Sequence, residues 1–78
     1  MKSLLDDLCV YLRKEYISDL KNLNSIDKFE AVKFFRKTKA SDYSIFSWND
    51  AHAYITGHHH DEVFPEEARV KLIECLKK

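Results

Sequence analysis

The sequence predicts an all-α domain, and three observations carry that reading. The chain has one glycine and one proline in 78 residues, so the glycine-rich turns of an all-β fold have nowhere to sit. Its apolar residues recur at spacings of three and four, the repeat of a helix face. Residues suited to helix ends punctuate those runs. The reading is a single domain, residues 1–78, folded as a compact bundle of about four helices near 3–22, 26–38, 47–56 and 65–77.

The first helix is expected to start at Ser3, whose hydroxyl can cap it while Asp6 returns the bond in a capping box. Leu5, Leu8, Leu12, Tyr16, Leu20 and Leu23 form its stripe, widened by Leu4, Cys9 and Tyr11. It should end at "NLNS", where Asn22, Asn24 and Ser25 offer side chains that compete for backbone hydrogen bonds. A second helix follows from Ile26, capped by Asn24 or Ser25, with Ile26, Phe29, Val32 and Phe35 facing the core and Phe34 beside them. After the connector "TKASDYS", Ser47 and Asp50 read as the capping pair of a third helix that closes at Gly57. Trp48, Ala51 and Ile55 share its face, and His52 beside them reads as a packing residue. Pro65 opens the fourth helix with Glu66 and Glu67 at the positive end of its dipole; Leu72, Ile73 and Leu76 are its stripe.

Composition narrows the function classes. Thirteen basic and thirteen acidic residues cancel, so no net field steers the chain to nucleic acid or an anionic membrane. No apolar run reaches the roughly 18 residues of a membrane span, and Asp6 and Asp7 interrupt the apolar residues after Met1, so no leader is expected. Cys9 and Cys75 form no CxxC pair and read as reduced thiols on packed helices, which points to the cytoplasm. With one glycine there is no phosphate-cradling loop, and nucleophilic catalysis would need a cysteine beside a histidine, whereas both cysteines read as packed in helices, so no catalytic residue and no enzyme is expected.

The neutral total hides opposed blocks. Residues 28–39 hold five bases and one acid, while 61–67 hold Asp61, Glu62, Glu66 and Glu67 without a base. Lys33, Arg36, Lys37 and Lys39 are the candidate surface for docking another protein; the alternative is that both blocks are simply solvated helix faces. The loop "GHHHDE" offers a second candidate. His58, His60 and Asp61 could hold a divalent metal, although the spacing matches no established ligand pattern, and the histidines could equally be solvated or titrate near neutrality. A helix-turn-helix on DNA is a further alternative, weakened because Phe29 and Phe35 are assigned to the core and cannot stack on bases.

"KFEAVKFFRKT" followed by "WNDAHAYI" resembles the helix pair in the C-terminal domain of the ribosomal stalk protein. The resemblance omits that family's glycine-rich turn and carries no functional residue to this chain. The expectation that stands is a small non-enzymatic interaction or regulatory module of the inhibitor, neutraliser or adaptor type, with no cofactor and with self-association into a homodimer as an open possibility.

Overall fold

The computed structural model describes residues 3–59 and 61–77. Its elements are α1 (Leu4–Tyr11), a 3₁₀ turn (Ile17–Lys21), α2 (Ser25–Lys37), a second 3₁₀ turn (Ala40–Asp42), α3 (Ile45–Thr56) and α4 (Pro65–Lys77). Among the described residues there is no strand, and the all-α bundle of four helices stands as expected.

Local chemistry explains most of the ends. The Asp6 amide donates to Ser3 Oγ at 3.4 Å, and the Asp27 amide donates to Asn24 Oδ1 at 2.8 Å, each capping a helix start. Gly57 closes α3 with φ +75°, a left-handed conformation that glycine adopts without steric cost. Pro65 is the first residue of α4, where its missing N–H removes no helical bond.

The first helix is much shorter than its periodicity suggests. It stops at Leu12 in a two-bond C-terminal cap: the Lys14 amide donates to the Cys9 carbonyl at 3.0 Å and the Arg13 amide to the Val10 carbonyl at 3.1 Å. Arg13 takes the left-handed position with φ +58°. A continuous 20-residue helix would span about 30 Å, longer than the 28 Å extent of the whole molecule. Folding back instead buries Leu20 completely against the bundle and leaves Tyr16, on the same predicted stripe, 66% exposed. Lys14 Nζ and Asp27 Oδ2, 3.0 Å apart, tie the break to the first turn of α2.

The third helix also departs from expectation. Its cap is Ser44, which accepts from the Ser47 amide at 3.2 Å, so Ser47 lies within the helix and does not start it. The earlier start places Trp48 wholly inside the core, where its indole N–H donates to the Ala40 carbonyl at 2.9 Å. Phe35 and Tyr43 pack against that indole with ring centroids 5.8 and 6.0 Å away. Tyr43 also donates to the Asp7 carboxylate, joining the second 3₁₀ turn to α1. Leu4, Leu8, Ala31, Ala51, Ala68 and Leu72 complete the core around this aromatic centre.

Candidate functional site

The outer face of α2 differs from the sequence reading in one consequential respect. Ile26 and Phe29, expected in the core with Val32 and Phe35, are 73% and 61% exposed. Residues three apart on a helix are offset by about 60°. A strict three-residue repeat therefore walks around the helix, and three steps back from Phe35 it reaches the opposite side. The buried set is Ala31, Val32 and Phe35, which α4 covers.

Phe29 thus stands on the surface beside the basic residues of α2. Lys33 Nζ lies 4.7 Å from the centre of its ring and 3.5 Å from Glu30 Oε1. A groove of about 430 Å³ opens between the start of α2 and the end of α4. Phe29, Val32 and Leu76 form its apolar floor, and Lys28, Lys33, Arg36 and Lys77 line it with cations; no carboxylate is among the lining residues.

Lys33, Arg36, Lys37 and Lys39 are all exposed, but they do not form one cluster. Lys33 and Arg36 border this groove, whereas Arg36, Lys37 and Lys39 border a second depression of about 620 Å³ beside Phe64, Pro65 and Glu66. Arg36 joins the two. At the second depression Arg69 bonds both carboxylate oxygens of Glu66 and donates to the Phe35 carbonyl at 3.1 Å. That hydrogen bonding holds the Glu66 carboxyl below the usual carboxylate range and raises Arg69. The one acid at the depression is therefore already engaged by a neighbouring base.

The histidine loop is anchored by a residue that the sequence reading did not single out. Asn49 Nδ2 donates to the Glu62 carbonyl at 3.0 Å, and the Glu62 amide donates to Asn49 Oδ1 at 3.2 Å. The side chain of α3 thereby completes a two-bond backbone pairing with the loop. Of the predicted metal ligands, His58 and Asp61 are exposed and His60 lies outside the described residues. Among the described residues no three His, Cys, Asp or Glu side chains converge as a metal set.

One juxtaposition is invisible in the linear order. Cys75 Sγ lies 3.9 Å from Nε2 of the buried His52, 23 positions earlier. Cys9 fits the expected packed thiol, being buried with its Sγ 3.1 Å from the Lys14 carbonyl it bonds. Cys75 is only half-buried and lines a groove of about 540 Å³ with Leu20, Leu23, Ile55 and His58. Helical spacing does not mark the His52–Cys75 contact, because it is made between α3 and α4.

Comparison with models of known protein families, with characterised proteins and with solved structures found no match.

Proposed function

We propose that this chain is a small cytoplasmic protein-interaction module whose α2–α4 groove takes an acidic, amphipathic segment of a partner protein. The observation that carries this reading is the lining of that groove: four cations around the Phe29–Val32–Leu76 floor, with no carboxylate among them. A leucine- or phenylalanine-sized side chain seated on that floor would supply the affinity. Carboxylates placed on the rim would supply register and faster encounter. Such a module acts by occupying its partner, as an inhibitor, neutraliser or adaptor does, and needs neither a cofactor nor a catalytic group.

A second reading has one observation in its favour. An exposed aromatic ring beside lysines is the arrangement on which single-stranded bases stack, and Phe29 with Lys33 has it. Two features favour the protein partner. The chain as a whole carries no net charge, and α4, which lends Lys77 to the groove, also carries Glu66, Glu67 and Glu74 on its surface, which repel a phosphate backbone.

Calorimetric titration decides between them. The probes are an amphipathic glutamate–leucine peptide of about 15 residues, long enough to form a helix, and an oligothymidylate. The peptide should bind, lose affinity as salt rises, and fail to bind a Lys33→Glu/Arg36→Glu variant whose helical circular dichroism is intact. Absence of peptide binding, or tighter binding of the oligonucleotide, would overturn the proposal.

A further inference from the structure

Beside the basic groove runs a strip of opposite sign. On α4, Val70 is 41% exposed and shares a shallow depression with Glu62, Glu66, Glu67 and Glu74 and one base, Lys71, whose ammonium lies 4.0 Å from the Glu62 carboxylate. The loop leading into the helix adds Val63 and Phe64, 72% and 62% exposed. Glu67 and Glu74 make no ion pair among the described residues.

The two strips lie side by side because α2 and α4 are antiparallel neighbours. Arg69, near the start of α4, reaches the Phe35 carbonyl near the end of α2. Lys77, at the other end of α4, lines the groove with Ser25 and Lys28 at the start of α2. One layer therefore presents a basic, apolar strip on α2 and an acidic, apolar strip on α4.

Adjacent strips of opposite charge are self-complementary. A two-fold axis running along the helices, between the strips, lays the basic strip of each copy on the acidic strip of the other. Every favourable contact is then made twice, and the assembly closes at two subunits. The apolar residues provide what charge alone does not. Because such an axis keeps each residue at its own height, Phe29, level with the end of α4, meets the Glu74 end of the other copy's acidic strip, and its exposed ring leaves water there.

We infer that the α2–α4 layer is a two-fold interface and that its occupant is a second copy of this chain. The dimer covers the groove, so self-association and capture of an acidic partner are competing states. That competition, though not the dimer itself, rests on the function proposed above.

Sedimentation equilibrium at low ionic strength tests the dimer, using wild type, Lys28→Glu/Lys33→Glu and Glu67→Lys/Glu74→Lys. Wild type should be dimeric, and high salt should dissociate it. Each variant alone should be monomeric, because the charge of one strip is then cancelled or reversed and no longer attracts the other. An equimolar mixture of the two should restore a one-to-one dimer, which also shows that both variants are folded. A wild type that stays monomeric to millimolar concentration, or a mixture that fails to associate, overturns the inference. Peptide titration of the same wild-type sample separates the two proposals: a monomer that binds the acidic peptide overturns the dimer alone, and a dimer unaffected by excess peptide overturns the competition.

Discussion

The Lys33 ammonium stands 4.7 Å above the centre of the Phe29 ring, on a helix face where that ring is 61% exposed. Burying a large aromatic residue normally contributes to folding, and this one contributes little. Replacing Phe29 with alanine should therefore change the thermal stability of the monomer, measured in high salt, by no more than about 0.5 kcal/mol, the range of ordinary surface substitutions. The same substitution should sharply weaken binding of the acidic peptide. A paired melting curve and titration check this, and a large loss of stability would return Phe29 to the core.

Two residues with left-handed backbone should respond in opposite directions. At Gly57, φ is +75° and an added Cβ would meet nothing within 4 Å, so Gly57→Ala carries only backbone strain, about 1–2 kcal/mol of destabilisation. Arg13 already bears such strain with φ +58°. Arg13→Gly should stabilise by up to about 1 kcal/mol, the relief of strain being partly offset by the greater freedom of an unfolded glycine. Urea midpoints of the two variants should move to opposite sides of wild type.

Asn49 has its effect through the loop it holds. Asn49→Ala removes both bonds to the Glu62 backbone. It should cost about 1–3 kcal/mol, the range for leaving partly buried polar groups unpaired. Hydrogen exchange should report the change at the Glu62 amide first, before the amides of α3 and α4.

Tyr43 gives a pH dependence with a defined sign. Burial, followed by its hydrogen bond to the Asp7 carboxylate and the charges of Asp7 and Asp42, pushes the phenol well above its ordinary 10.0. The folded protein then keeps the phenolic proton in a range where the unfolded chain releases it. The stabilisation is fully present below pH 10 and is lost as pH rises through the folded value. Tyr43→Phe should be less stable than wild type near neutrality, and the difference should shrink as alkaline pH is approached from 10 upward.

What could be read from the sequence was local. Ser3, Asn24, Gly57 and Pro65 act within three or four residues of themselves, and each stands at its expected helix end. The break after Leu12 was not legible, because Leu12, Tyr16 and Leu20 keep helical spacing across it. What decides the break is the size of the globule and the gain from burying Leu20. Ser47 with Asp50 reads as a capping pair in the sequence, but the structure caps the helix one turn earlier at Ser44, the start that accompanies a fully buried Trp48.

At the candidate site, the charges could be read and the floor could not. Lys33 and Arg36 were recognisable as surface cations, since a block of lysines and arginines is rarely buried. The exposure of Phe29 is not legible in the sequence, because its three-residue spacing from Val32 and Phe35 reads as a continuous helix face. Leu76 and Lys77 reach the groove from the far end of the chain, and nothing near them in sequence marks that meeting. The Asn49–Glu62 clasp and the His52–Cys75 contact escaped for the same reason.

The central claim is that the Phe29 groove is where this protein meets its partner. The most direct measurement is a backbone amide chemical-shift map of the labelled protein during titration with the acidic amphipathic peptide. The expected result is a contiguous set of saturable shifts at Lys28, Phe29, Lys33, Arg36 and Lys77, with the histidine loop unmoved. Shifts centred instead on the loop around His58 and Asp61, or none at all at saturating peptide, would contradict it.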